Sequence, residues 1–237
     1  MYYLALLAGR DDVEDVAPGS PEFDAEVARY AEFEERAAAV IAGGVALYPS
    51  STSVNITRDG ENTLITDGPF AEGAEVVGGF YVFDVADLDE AIGVARQLPA
   101  LDSGAIELRP LVQWTPHATP GQDWWMTLLW DRADAVIEPG TPAWDTMATE
   151  HQRFADRVGA AIRGGGALRP PATATTLRGR DGELLITDGP FGETAEVVDG
   201  LYLFTAPDRS AAAEIAALVP MGNKGRTELR QVVDLGE

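Results

Sequence analysis

Leu64-Ile-Thr-Asp-Gly-Pro-Phe-Ala-Glu-Gly-Ala-Glu-Val-Val-Gly-Gly-Phe-Tyr-Val-Phe83 recurs 121 residues later as Leu185-Ile-Thr-Asp-Gly-Pro-Phe-Gly-Glu-Thr-Ala-Glu-Val-Val-Asp-Gly-Leu-Tyr-Leu-Phe204, with 15 of the 20 positions identical. Identity at one fixed offset marks an internal duplication. Working outward, the same offset pairs Leu47-Tyr-Pro49 with Leu168-Arg-Pro170, Pro99 with Pro220, Gly104 with Gly225, and Glu107-Leu-Arg109 with Glu228-Leu-Arg230. Between the copies lies Thr115-Pro-His-Ala-Thr-Pro-Gly-Gln122, two prolines and a glycine without apolar periodicity, which reads as a linker. The 237 residues thus divide into a first module at 1–114, a linker at 115–122 and a second module at 123–237.

Each module yields the same order of elements. Residues 2–7 and 124–130 are apolar enough for buried strands. A long amphipathic helix follows, with Phe23, Val27, Tyr30, Phe33, Ala37, Val40 and Ile41 on one stripe. Its copy carries Trp144, Ala148, His151, Phe154, Val158, Ala161 and Ile162. Gly43-Gly44 and Gly164-Gly165-Gly166 read as the ends of these helices. A strand pair turning at Asp59-Gly60 or Asp181-Gly182 comes next, then a strong strand at 76–83 or 197–204. A second helix follows, N-capped by Asp87 or Asp208 and stopped by Pro99 or Pro220, before a last strand. The order β-α-β-β-β-α-β predicts a ferredoxin-like α+β module with an extra hairpin strand. Two helices cover one sheet face. The other face is apolar and needs a partner, which the second copy supplies as an internal pseudo-dimer, with further homo-oligomerisation left open.

Composition narrows the function. Seventeen Lys and Arg against 39 Asp and Glu give a formal charge of −22, so a phosphate backbone would be repelled and nucleic acid is not an expected partner. The charge is uneven: −15 falls on 1–114 and −7 on 123–237. The absence of cysteine removes disulfides, thiolate nucleophiles and zinc-finger or iron–sulfur sites. No apolar run is long enough to span a membrane, and no basic region precedes the short apolar start, so a cytoplasmic protein without a membrane partner is expected.

At Thr66-Asp-Gly-Pro-Phe70 and Thr187-Asp-Gly-Pro-Phe191 the chain resembles the DGPF proteins of the YCII-related family. The likeness extends to the Glu-Val-Val strand that follows, to Asp87-Leu-Asp-Glu-Ala91, to Glu107–Pro110 and to His151-Gln-Arg-Phe154. The resemblance implies two ferredoxin-like modules packed sheet to sheet as a dimeric α/β-barrel, here within one chain. It also implies an occasional link to sigma-factor pathways and, in a few relatives, lyase chemistry that uses a histidine and an aspartate. This chain departs from the family where its usual lysine is replaced by Ala74 and Ala195, and where Tyr30 stands opposite His151.

Candidate site residues follow from chemistry and position. His151 is one of two histidines; the other, His117, falls in the linker. Imidazole changes charge near neutral pH, and Tyr30 at the matching position can also carry a proton. Asp188, or its counterpart Asp67, would orient the ring if the fold brings them together. The Asp-Gly-Pro-Phe turns also have a purely mechanical explanation, since Gly68 and Gly189 can adopt backbone conformations closed to other residues. Arg109 and Arg230 share a strand face with Glu107 and Glu228, which suits either an ion pair or the grip of an anionic substrate. The five tryptophans, Trp114, Trp124, Trp125, Trp130 and Trp144, suit core packing, with one or two available to an aromatic pocket. Ser50–Ser53 lacks a nucleophile elbow, and Glu72, Glu75, Glu193 and Glu196 suit a solvated turn. No dinucleotide, P-loop or zinc motif occurs, no acidic stretch has metal-loop spacing, and the sole lysine, Lys224, sits in a Gly-Asn-Lys-Gly loop. No cofactor is therefore implied.

Three readings stay open. One is a cofactor-independent lyase or isomerase with His151 as base, Asp188 as its orienter and Arg230 as anion holder. The second is a non-catalytic small-molecule-binding or regulatory module. The third is an interaction module with no ligand.

Overall fold

Both copies open on a strand whose alternate side chains are driven to opposite faces of a sheet. The computed structural model describes residues 1–10, 20–59, 62–69, 75–180, 183–192, 196–222 and 225–236. Phe70, Glu72, Ala74, Gly60, Asp181-Gly182, Glu193, Ala195 and Lys224 lie outside the described residues.

The first half runs β1 (Tyr2–Arg10), α1 (Pro21–Ala37), β2 (Ile41–Ala46), β3 (Val54–Asp59), β4 (Asn62–Asp67), β5 (Glu75–Asp84), α2 (Leu88–Ala95) and β6 (Ala105–Thr115). The second repeats it as β7 (Trp124–Arg132), α3 (Pro142–Val158), β8 (Ile162–Leu168), β9 (Thr175–Arg180), β10 (Glu183–Asp188), β11 (Glu196–Thr205), α4 (Arg209–Ala216) and β12 (Arg226–Gln231). Side-chain caps start the helices: Ser20 and Thr141 accept from Phe23 N and Trp144 N, and Asp87 and Asp208 from Glu90 N and Ala211 N.

The long helices are shorter than their apolar stripes predict. Ile41 and Ile162 open strands rather than closing helices, so each half has one strand more than the sequence reading gave. The glycine runs are strand residues. A Cβ on Gly44 would fall 2.7 Å from the Tyr81 ring, and one on Gly165 would fall 3.1 Å from the Tyr202 ring. The glycines make room for an aromatic ring on the neighbouring strand.

Four strands of each half form an antiparallel sheet, in the orders β2-β5-β1-β6 and β8-β11-β7-β12. The remaining hairpins are exchanged. β3 pairs with β12 and carries β4 to the edge of the second sheet, while β9 pairs with β6 and carries β10 to the edge of the first. The two six-stranded layers are joined along β6 and β8 and by a bridge between Leu47 and Val232.

Between them lies the central core, where Leu4, Leu6, Phe80 and Val82 meet Met126, Leu128, Leu201 and Leu203. Burying each such side chain contributes roughly 1.5–3 kcal/mol, so the interface is a major source of stability. Trp114 and Trp124 close one end, with His117 edge-on between them at 5.9 and 5.8 Å. The outer faces differ. α1 inserts Phe33 and Ala37 into a cluster with Tyr3, Ala5, Tyr81 and Phe83, but the cluster on the second sheet contains no α3 residue. Among the described residues, no helix is long and apolar enough to cross a membrane.

Candidate functional site

Two concavities stand out among the described residues. The larger, about 1000 Å³, lies between the halves and brings together Asp188, Pro190 and Phe191 of the second turn with Pro69 of the first. Most of its charges pair locally. Arg178 forks onto Glu75, and Arg226 binds Glu196 at 2.9 Å, Asn55 at 3.0 Å and Glu228 at 3.3 Å. Glu107 accepts from the Phe191 amide at 3.0 Å. The glycines of both turns fit the mechanical reading. Gly68 and Gly189 sit at φ of 86° and 97°, and their carbonyls accept from Asn55 and Thr176.

The smaller cavity, about 370 Å³, opens between α3 and the second sheet. Smaller side chains under α3 leave the space. Tyr81 donates to Glu34 at 2.7 Å and stacks with Tyr30 at 6.4 Å in the first half. At the matching positions Tyr202 faces His151, and Ala155 replaces Glu34, which leaves space under the helix. Phe154 still anchors α3, edge-on to Tyr202 at 5.0 Å.

His151 Nδ1 lies 3.0 Å from the Tyr202 hydroxyl oxygen, and Nε2 makes no hydrogen bond among the described residues. Burial lowers the imidazole pKa from its ordinary value, against an opposing pull from Glu150. Burial also pushes the Tyr202 phenol up to about 12. At neutral pH the pair is therefore neutral imidazole and intact phenol. Whichever of the two donates, the opposite ring nitrogen is fixed as donor or acceptor toward the cavity.

Asp199 lines the same cavity. It is the extra residue of a β-bulge where β11 passes from the Val198–Trp130 pair to the Gly200–Leu129 pair. A bulge re-aims one side chain without breaking the sheet. Burial pushes the Asp199 carboxyl up to about 6; Arg109 opposes this and Asp131 adds to it. Asp131, also on the wall, is raised by burial as well. Trp130, Trp144, Met147, Ile162 and Leu201 supply the apolar lining.

The sequence candidates are placed as follows. His151 lines the cavity, but Asp188 does not orient it. The exchanged hairpin carries Asp188 onto the first sheet, where it lines the central concavity, and Tyr202 takes the position beside the ring. Asp67, likewise at a hairpin end, pairs with Arg209 at 2.8 Å with its side chain 79% exposed. Tyr30 is packed on Tyr81, and burial raises its pKa beyond use as a base. Arg109 and Arg230 are not anion holders, because both are only 1% exposed and line neither concavity. Arg109 donates to Glu107 and Val198 O, and Arg230 to Glu228 at 3.1 Å and to Tyr48 O at 2.9 Å. Sequence reasoning missed Tyr202, Asp199 and Asp131. Asp199 stands out on inspection as one of the few mismatches in the repeat, opposite Gly78. Among the described residues, no three His, Asp or Glu side chains are grouped to hold a metal ion.

The model of the YCII-related domain matches the chain twice, over residues 1–115 and 129–236. The chain belongs to the YCII-related family. An uncharacterized protein of Rhizobium meliloti (strain 1021) is 38% identical over 76 residues, which is 31% of this chain and 61% of that protein's length. The chain thus matches under two thirds of this YCII-related protein's curated relative. Among solved structures, a crystal structure described as "Putative Chlorite dismutase" aligns with 98% of this chain and 95% of its own at a TM-score of 0.43 and 12% identity.

Proposed function

We propose that this YCII-related protein is a cofactor-independent small-molecule enzyme, a lyase or isomerase, that moves a proton at the α3 cavity. In this reading the chain is an internal pseudo-dimer of two ferredoxin-like modules packed sheet to sheet as a dimeric α/β-barrel. The shared central core and the exchanged hairpins support that arrangement. His151 is the base or acid, Tyr202 its positioning residue, and Asp199 a second proton carrier. One observation carries the reading: a neutral imidazole 3.0 Å from a phenol shares a largely apolar cavity with a carboxyl whose pKa is near 6. Groups poised near the working pH in a desolvated pocket are what general acid–base catalysis requires.

The test uses 5-nitrobenzisoxazole, a neutral probe whose C3–H proton is taken by a base as its N–O bond breaks to give a nitrile and a phenolate. The protein should accelerate this elimination, and His151→Ala should lose about 100-fold of the protein-dependent rate. Tyr202→Phe should displace the pH midpoint of that rate, and Tyr30→Phe should leave it unchanged. Equal rates for wild type and His151→Ala would overturn the assignment and favour a binding module.

A further inference from the structure

The proposed function names a proton carrier but no substrate, and the wall of the same cavity is electrostatically one-sided. Asp131 and Asp199 both line it, and no Lys or Arg does among the described residues. The nearest cations are engaged elsewhere. Arg109 is held by Glu107 and Val198 O, and Arg132 forks onto Asp134 with both contacts at 2.8 Å. Asp199 makes no hydrogen bond among the described residues, although it is largely withdrawn from water. Among the described residues, Asp131 accepts only the neighbouring amide of Arg132, at 2.8 Å.

These two acids belong to the second half alone. Arg10 and Gly78 stand at the matching positions of the first half, so the pair of acids is confined to the half that carries this cavity.

Three classes of ligand can be compared. A carboxylate or phosphate would meet like charge with no cation among the described residues to offset it. A neutral apolar molecule would bury Asp199 with no partner among the described residues, which costs free energy. An ammonium group brings three N–H donors and a positive charge, and both carboxylates can accept from it. The remaining walls suit the rest of such a molecule. Trp144 has no ring partner among the described residues, and Met147 and Ile162 are apolar. Aromatic faces also attract organic cations.

We propose that the α3 cavity takes a primary amine in its ammonium form, carried on an aromatic or apolar body, with Asp131 and Asp199 as its counter-charge. The inference rests on the proposed function only in assigning the substrate to this cavity. Asp199 precedes Tyr202 by three residues, about 10 Å of strand at most. The amine nitrogen is then an anchor on the two carboxylates with the reacting atom beside His151, and in this complex Asp199 serves as counter-charge while His151 carries the proton.

Three probes share one indole body and differ in charge: tryptamine, tryptophol and indole-3-acetate. By titration calorimetry on the full chain at pH 7.5, tryptamine should bind about tenfold tighter than tryptophol, with indole-3-acetate weakest. Asp199→Asn should bring tryptamine to within about threefold of tryptophol, and the Asp131→Asn/Asp199→Asn double variant should erase the preference. Asp67→Asn, at an exposed acid outside the cavity, should retain it, and thermal melts would establish that each variant is folded. Equal affinities, tighter binding of the acetate, a preference that survives the double variant, or no binding of any probe would each overturn the inference. Any of those results together with His151-dependent elimination of 5-nitrobenzisoxazole would leave the acid–base reading standing. Tryptamine selectivity without that elimination would do the reverse.

Discussion

Under α1, Tyr30, Glu34 and Tyr81 lock together and Gly78 sits exposed on its bulge; under α3, His151, Ala155 and Tyr202 leave a cavity and Asp199 occupies the bulge. The backbones follow one plan, so the contrast comes from a handful of side chains. Duplication separates two tasks that compete within a single module. One copy fills the space under its helix with Tyr30, Glu34 and Tyr81. The other keeps half-desolvated polar groups that weaken packing, as functional sites commonly do.

The sharpest way to break the comparison is at the feature both halves share. Arg109 and Arg230 are each buried against the glutamate two residues back on the same strand. Without Arg109, Glu107 keeps only the Phe191 amide, whereas without Arg230, Glu228 keeps Arg226, so Arg109→Ala should lose about 3–5 kcal/mol in urea unfolding and Arg230→Ala less. Equal losses in the two variants would show that Arg226 does not compensate Glu228.

A smaller effect should separate the bulges. In the folded protein the Asp199 pKa is near 6, above the ordinary 3.8, so the folded state holds a proton that the unfolded chain releases between those values. That contribution is present below pH 4 and lost as pH rises through 6. Asp199→Asn should therefore stabilise the protein by roughly 2 kcal/mol at pH 8, with the gain vanishing near pH 4. Gly78→Asp places the same side chain at an exposed position where a Cβ meets only Leu7 O, at an ordinary 4.0 Å, and should stay within about 0.5 kcal/mol of wild type at either pH. Urea titrations at the two pH values measure both.

The finest distinction lies in the two tyrosines. Tyr81→Phe removes a charge-assisted bond to Glu34 and should cost about 1–2 kcal/mol. Tyr202→Phe should cost less than about 1 kcal/mol, yet move the His151 titration midpoint by roughly 0.5 in histidine NMR spectra. In the wild type that midpoint lies below 6.5. A stationary His151 signal in Tyr202→Phe would remove Tyr202 from the site.

Much of the fold was legible because its signals are local. Helix caps at Asp87 and Asp208, the apolar alternation of β5 and β11, and the repeat itself need only neighbouring residues to be read. The glycine runs were misread because their cause is not local: Gly44 and Gly165 are small on account of rings on β5 and β11, 37 residues further along the chain. His151 was legible from its chemistry and Tyr202 was not, since a tyrosine present in both copies looks structural. Pairing His151 with Asp188 failed for a topological reason. Each Asp-Gly-Pro-Phe turn ends a hairpin that lies on the opposite half's sheet.

That exchange has a consequence for how the chain comes into being. When residue 114 leaves the ribosome, β3 and β4 have no β12 to join, and the outer side of β6 waits for β9. The first half emerges with a strand edge unsatisfied and a hairpin unplaced: β9 completes the edge, and the hairpin waits for β12. Either half made alone would find its missing hairpin only in a second copy of itself.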